Sequence, residues 1–246
     1  MFLALDIGNS HVKAGLHDGA AWARIERFPT AAIEAGRLGA FVEEAEVEGA
    51  GLASVVPSAT EPLATAVRHL TGRAPVVVHA GMALPFRMAY ATPDTLGADR
   101  LAAAAAAWLL LGKTEARPVA ALDAGTAITT EVLTAEGVYL GGAIAPGPAL
   151  LRRALASETA QLPGVDWPAA PFGIGDSTHT AIQAGLSALV ADGVAGLLRR
   201  AEAEVGARPF VVATGGWADW LARHVAAIDR VEPALVLDGV RLLAGG

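Results

Sequence analysis

Three aspartates in this chain stand in contexts where a carboxylate could do chemistry. The first ends an apolar run near the N-terminus, Leu3-Ala4-Leu5-Asp6-Ile7-Gly8-Asn9-Ser10. The second ends a nearly identical run at mid-chain, Val119-Ala120-Ala121-Leu122-Asp123-Ala124-Gly125-Thr126-Ala127. A carboxylate just past a strand end can hold Mg²⁺, which takes few carboxylates and completes its shell with water and phosphate oxygens. Gly8 and Gly125 let backbone N–H groups approach a phosphate with no Cβ in the way. Asn9 and Ser10 add neutral donors, and Lys13 adds a point charge. Gly-Asn is also a common hairpin turn, and an Asp in a turn often bonds its own backbone. The recurrence of the Asp-x-Gly turn after half a chain length favours two similar halves that present a metal-bound polyphosphate with two such turns. The third aspartate lies in Gly97-Ala98-Asp99-Arg100, where a loop gives way to a helix. An Asp in a first helical turn suits the helix dipole. With the loop Tyr90-Ala91-Thr92-Pro93-Asp94 before it as a substrate lip, Asp99 could instead receive a proton from an attacking hydroxyl. Arg100 beside it is expected to lower the pKa of Asp99, and a weak base suffices because phosphoryl transfer is mostly positioning and charge stabilisation.

The elements that would position these residues repeat as well. Phe2–Leu5, Ser10–Leu16 and Ala21–Phe28 read as a three-strand meander, followed by a helix over Ala31–Ala45. A strand over Ala50–Val56, a helix over Ala59–Leu70 and a short strand at Val76–Val78 complete the first half. The segment from Ala80 to Gly97 reads as loop, with a helix from Ala98 to Gly112 and a polar linker over Lys113–Pro118. Strands at Val119–Leu122, Ala127–Leu133 and Val138–Ile144 then repeat the opening meander. Helices over Pro148–Ser157 and Thr178–Val205, a strand over Pro209–Ala213 and a helix over Trp217–His224 follow. Thr214-Gly215-Gly216 lies between that last strand and helix, where two glycines would let a flat ring such as adenine lie on the backbone. The expected division is residues 1–114 and 115–246.

Composition narrows the classes. The chain has 246 residues, 53% of them hydrophobic, and a net charge of −7. Lys13 and Lys113 are the only lysines, and no basic stripe interleaved with aromatics is present, so nucleic-acid binding is not expected. The absence of cysteine excludes disulfides, thiolate metal sites and thiol catalysis. No signal peptide is read at the N-terminus, and the apolar stretch Leu101–Gly112 is well short of the ~20 residues of a membrane span; a soluble, cytoplasmic protein is expected. Gly112-Lys113-Thr114 is not a P-loop, since Ala107 stands where the first glycine belongs and the segment ends a helix rather than beginning one. Gly173-Ile174-Gly175 lacks the third glycine of a dinucleotide fingerprint, and Asp176, Ser177 and His179 are too close in sequence to be a triad.

Taken together these segments resemble the type III pantothenate kinases, in the superfamily of acetate and sugar kinases, Hsp70 and actin. The likeness runs through Asp6–Ser10 with Lys13, Tyr90–Arg100, Asp123–Ala127, Gly141-Gly142-Ala143-Ile144-Ala145-Pro146-Gly147, Thr159-Ala160-Gln161-Leu162-Pro163, Gly175–Thr178 and Thr214-Gly215-Gly216. The phosphate turns alone indicate the superfamily; the Tyr90–Arg100 loop with Thr-Ala-x-Leu-Pro is the more specific signal. The resemblance implies an α/β fold of two actin-like (RNase H-like) domains, each a mixed five-stranded sheet with flanking helices, with a cleft between them. It implies a transferase that phosphorylates pantothenate with ATP to 4'-phosphopantothenate, the first step of coenzyme A biosynthesis. Asp99 is then the proton acceptor. Tyr90, Gly97, Ala98, Asp99, Arg100 and Thr178 would contact pantothenate. Asp6, Ile7, Gly8, Asn9, Ser10, His11, Val12, Lys13 and Thr126, with Gly215 and Gly216, would hold ATP. Asp123 would bind a monovalent cation, potassium or ammonium, while Asp6 is the candidate for Mg²⁺. A homodimer with the substrate pocket near the subunit interface is implied. Ser10 stands where the family usually has Thr, and Ser177 where Asn is common. Two other readings remain: a non-catalytic accessory or regulatory protein on the same fold, against which Asp6, Asp99 and Asp123 together argue, and a kinase of another small hydroxylated substrate, against which the Tyr90–Arg100 loop argues.

Overall fold

Leu3, Ala4, Leu5 and Ile7 are fully buried along the first strand, and only Phe2 and Asp6 reach the half-exposed class. That pattern suits a central strand covered on both faces, and it places Asp6 near the strand end as the polar exception. In the computed structural model, which describes residues 1–32, 35–43 and 45–246, this strand is β1 (Phe2–Ile7). β2 (His11–His17) and β3 (Trp22–Pro29) follow as an antiparallel meander. A one-turn 3-10 segment, Thr30–Ala32, leads to α1 (Ala35–Val42); the helix expected over 31–45 includes residues 33, 34 and 44, which lie outside the described residues. β4 (Gly49–Ser54) runs parallel to β1, and α2 (Pro57–Thr71) crosses to the short β5 (Val76–Val77), parallel to β4. Pro57 opens α2, where a missing N–H costs nothing. Gly72, at φ +68°, closes it by donating to the Arg68 carbonyl at 2.9 Å. The sheet order is β3-β2-β1-β4-β5. After the two-residue β6 (Arg87–Met88) and a 3-10 turn at Pro93–Thr95, α3 (Ala98–Ala107) begins and passes into a π-type turn, Trp108–Gly112.

A second unit repeats this wiring. The one-turn α4 (Lys113–Glu115) precedes the meander β7 (Val119–Ala124), β8 (Ala127–Leu133) and β9 (Val138–Pro146). Helices α5 (Pro148–Ser157) and α6 (Thr178–Val205) lead to β10 (Phe210–Thr214), parallel to β7, and α7 (Ala218–His224) leads to β11 (Arg230–Val231). The second sheet has six strands, in the order β11-β10-β7-β8-β9-β6, so the expected five strands hold for the first sheet only; apart from the two-residue edge strand β6, the order β9-β8-β7-β10-β11 matches β3-β2-β1-β4-β5. The first core gathers Leu3, Leu5, Leu38, Phe41, Leu52 and Val67; the second gathers Leu122, Val190, Val194, Val211, Trp220 and Leu221. At 28 residues, with a window of mean hydropathy 1.6, α6 does have the length and composition of a membrane span. The shorter Leu101–Gly112 stretch was therefore not the one to weigh. Ile182, Leu186, Val190, Val194 and Leu198 of α6 recur every fourth residue and are buried, the pattern of a core helix.

The two compact units are Met1–Leu110 with Ala234–Gly246, and Leu111–Pro233. The expected division kept the C-terminus with the second half. Instead α8 (Leu235–Leu243), which the pass along the sequence did not pick out, returns to the first unit. Gly239 explains the docking. A Cβ there would lie 1.9 Å from the carbonyl oxygen of Ala102, so α8 meets the alanine-lined α3 backbone to backbone. Trp22 Nε1 donates to Asp238 Oδ1 at 2.9 Å and ties β3 to the same helix. A Gly239→Ala substitution forces this contact apart and is expected to destabilise the protein by about 1–3 kcal/mol. Urea unfolding reads this directly, and an unchanged midpoint would mean that α8 does not dock there.

Candidate active site

The first Asp-x-Gly turn is built by strand pairing. Asp6 faces Lys13 across β1 and β2, on the same face of the sheet, so carboxylate and ammonium carriers share one edge of the turn. Gly8 N–H donates to the His11 carbonyl at 3.0 Å, and a Cβ on Gly8 would crowd that oxygen at 3.1 Å. Thr30, which sequence reasoning passed over, clamps the turn from outside: its hydroxyl donates to the Gly8 carbonyl at 2.6 Å, and its N–H to the Ser10 carbonyl at 3.1 Å. Gly8 is half-exposed, and Asn9, Ser10 and His11 are exposed, open to a ligand. Val12 is buried beneath them as a packing residue. His11 lies 3.1 Å from Arg27 Nη2, and its pKa is lowered, first by burial and then by Arg27.

The third aspartate is also in the first unit. α3 starts after Gly97, and Asp99 Oδ1 accepts the Arg100 N–H at 2.7 Å. A Cβ at Gly97 would lie 2.5 Å from Asp99 Oδ1, so any side chain there would push the carboxylate aside. Arg100 is only 8% exposed, and its guanidinium carbon lies 5.9 Å from the centre of the Tyr90 ring. Arg100 does pull the Asp99 pKa down, as expected, but a larger effect outweighs it. Burial dominates and holds the Asp99 pKa above the ordinary carboxylate range, although the Arg100 N–H and the guanidinium charge both pull downward. Tyr90, Gly97, Ala98, Asp99 and Arg100 thus gather at one helix start. This group touches the Asp6 turn through β4: Val55, against Gly97, donates its N–H to the Ile7 carbonyl at 3.1 Å.

The second unit builds its own group. Asp123 pairs with Thr129 on β8 and Thr214 on β10. Gly215, at φ +92°, lies against its carboxylate; a Cβ there would be 2.4 Å from Asp123 Oδ1. Only a residue without a side chain can take both that φ and that approach. Trp217 N–H donates to the Ala124 carbonyl at 3.0 Å, fixing the Gly215-Gly216 turn to the end of β7. Gly147, quoted above only as part of a motif, closes the other side: its N–H donates to the Thr126 carbonyl at 2.9 Å, and a Cβ on it would sit 2.3 Å from the Gly125 carbonyl. Thr126 itself is exposed. Thr178 is exposed at the first position of α6, after a Ser177 N-cap that accepts the Thr180 N–H at 3.2 Å. Ser177 thus fills the cap role that Asn also fills. Thr180 reciprocates, its hydroxyl accepting the Asp176 and Ser177 N–H groups at 3.0 Å each. Among the described residues no three His, Asp or Glu side chains cluster as a metal cage. Asp6 and Asp123 are single carboxylates beside glycine turns, a donor set that suits a cation sharing its shell with phosphate and water.

The raised pKa of Asp99 has a thermodynamic consequence. Between the unfolded and folded pKa values the native state binds more protons, so Asp99 lowers stability as pH rises through that window. Asp99→Asn removes this term. Thermal denaturation is expected to show a higher Tm for the variant at pH 7, with the gain closing below about pH 4, the range of an unperturbed Asp. A variant less stable at pH 7 than the parent would contradict the burial account.

Comparison with known proteins places the chain in a family. A family model described as type III pantothenate kinase matches residues 2–200. A type III pantothenate kinase of Moorella thermoacetica is 34% identical over 253 residues, covering 99% of this chain and 98% of that protein. One from Roseiflexus sp. is 36% identical, with the same coverage of 99% and 98%. Among solved structures, a Campylobacter jejuni protein described as a Baf family transcriptional activator superposes with a TM-score of 0.62 at 20% identity, over 98% of this chain and 96% of that one. A ROK family glucokinase from Streptomyces griseus superposes with a TM-score of 0.53 at 16% identity, over 99% of each chain. These likenesses give the chain the actin-like kinase fold, and the full-length identities settle the kinship within it: the chain belongs to the type III pantothenate kinase family.

Proposed function

We propose that Asp99 accepts the proton of the pantothenate hydroxyl in the reaction of this family, the ATP-dependent phosphorylation of pantothenate to 4'-phosphopantothenate that opens coenzyme A synthesis. The observation that carries this reading is the half-exposed carboxylate of Asp99 at the start of α3, reachable by a substrate and next to a buried arginine and a half-exposed tyrosine. Its raised pKa makes it a better proton acceptor than an ordinary Asp. The substrate oxygen bonds to the γ-phosphorus as the bond to the β-phosphate oxygen breaks, and the hydroxyl proton passes to an Asp99 carboxylate oxygen. Arg100 supplies positive charge to an anionic substrate, and Tyr90, Gly97, Ala98 and Thr178 shape its pocket.

Asp6 and Lys13, with the backbone of Ile7–Ser10, His11 and Val12, hold the phosphates, and Thr126, Gly215 and Gly216 hold the nucleotide from the second unit. A magnesium ion bound with ATP at Asp6 would offset phosphate charge. Asp123, with Gly215 leaving room at its carboxylate, would hold a monovalent cation, potassium or ammonium. The reading is completed by a cytoplasmic homodimer.

Purified protein is expected to phosphorylate pantothenate with ATP and magnesium, and to lose most turnover when potassium and ammonium are replaced by sodium. Asp99→Asn should lower kcat by about 10²–10⁴-fold while leaving the Kd for ATP in place. Asp123→Ala should remove the potassium response specifically. Absence of pantothenate turnover under all ionic conditions, or a fully active Asp99→Asn enzyme, would sink the reading.

A further inference from the structure

Arg27 belongs to neither Asp-x-Gly turn, yet strand register carries it to the first of them. Lys13 of β2 pairs with Asp6 of β1 on one side and with Arg27 of β3 on the other. Residues paired across strands share a face of the sheet. Asp6, Lys13 and Arg27 therefore form one row, a carboxylate followed by two cations. At about 4.8 Å per strand step the row spans about 10 Å.

The guanidinium reaches back toward the turn. Arg27 Nη2 lies 3.1 Å from Nδ1 of His11, the residue whose carbonyl receives the Gly8 N–H. Nδ1 accepts a hydrogen bond only in the neutral ring. Burial, and after it the charge of Arg27, lowers the His11 pKa and favours that form. A guanidinium has five N–H donors, so four remain. Arg27 is exposed, as are Asn9, Ser10 and His11 beside it. Arg24 and Glu26 lie on the opposite face of β3 and pair with each other. Among the described residues no carboxylate pairs with Arg27.

The second unit supplies an internal control. There the matching row is Asp123 on β7, Thr129 on β8 and Ile144 on β9. The same strand plan thus folds without a cation at either position. Lys13 and Arg27 are present together in the row that begins with Asp6 and absent together from the row that begins with Asp123. We propose that Arg27 is a further phosphate-binding residue: held at the turn by His11, its guanidinium adds a second cation beside Lys13 for the polyphosphate of the nucleotide. The proposal rests on the reading that the Asp6–Lys13 turn holds the ATP phosphates. Lys13 supplies a point charge, whereas the planar fork of Arg27 can meet two phosphate oxygens at once.

The test measures the Kd for magnesium-ATP by calorimetry, and the KM for pantothenate at saturating ATP, in the parent, Arg27→Gln, Arg27→Lys and Lys13→Gln. Arg27→Gln should weaken ATP about 10-fold, the scale of one charge-assisted hydrogen bond at an exposed site. The KM for pantothenate should stay within about twofold of the parent's, since Arg27 serves the nucleotide alone. Arg27→Lys, which keeps the charge without the fork, should fall between the two. Raising tetramethylammonium chloride at fixed potassium should narrow the gap between Arg27→Gln and the parent, because an exposed charge is screened. A role confined to holding β3 would lower the urea midpoint and leave the ATP Kd in place. A parent-like ATP Kd in Arg27→Gln with a weakened Lys13→Gln would overturn the proposal alone, and so would equal losses for ATP and pantothenate. Parent-like ATP binding in both Arg27→Gln and Lys13→Gln would overturn the phosphate-turn reading beneath it.

Discussion

Removing a carboxylate from water costs free energy unless something compensates the charge, and Asp99 is compensated only in part. It accepts one backbone N–H and has one arginine beside it, yet burial still governs its pKa. Much else in the first unit follows from maintaining that state. A side chain at Gly97 would displace the Asp99 carboxylate, whose oxygen lies where its Cβ would be. The alanines of α3 are small because α8 crosses them at backbone distance, which fixes the helix whose first turn carries the carboxylate. A loosely held helix start would admit water and return Asp99 to ordinary acidity.

The duplicated wiring shows how one strand-turn plan serves two purposes. In both units the first strand of the meander is central, and a parallel neighbour follows a crossover. Each central strand ends in Asp-x-Gly because a strand tip is where a carboxylate can leave a buried sheet without leaving the protein. The surroundings then diverge. Asp6 has Lys13 opposite, giving a mixed-charge edge suited to phosphates. Asp123 has threonines on both neighbouring strands and a left-handed glycine against its oxygen, a neutral and closely shaped setting suited to a cation.

Local pattern made the strands, the Asp-x-Gly turns, the Gly97 helix start and most helices legible in the sequence, because each depends on residues near one another in the chain. The features that escaped depend on distant ones. Nothing near Leu235 announces that α8 will pack on residues more than a hundred positions earlier; Gly239 becomes informative only beside Ala102. Thr30 looks like any loop threonine until its hydroxyl is found on Gly8. The pKa of Asp99 went the other way for the same reason: Arg100 is visible in sequence, whereas the burial that outweighs it is a property of the fold.

The account turns on Asp99 being both desolvated and ionisable, and its titration can be read directly by carboxyl ¹³C NMR of the full chain, with Asp99→Asn identifying the resonance. The account predicts a midpoint above the range of ordinary aspartates that coincides with the acid limb of kcat/KM for pantothenate. A midpoint at or below that of an unperturbed aspartate would contradict it.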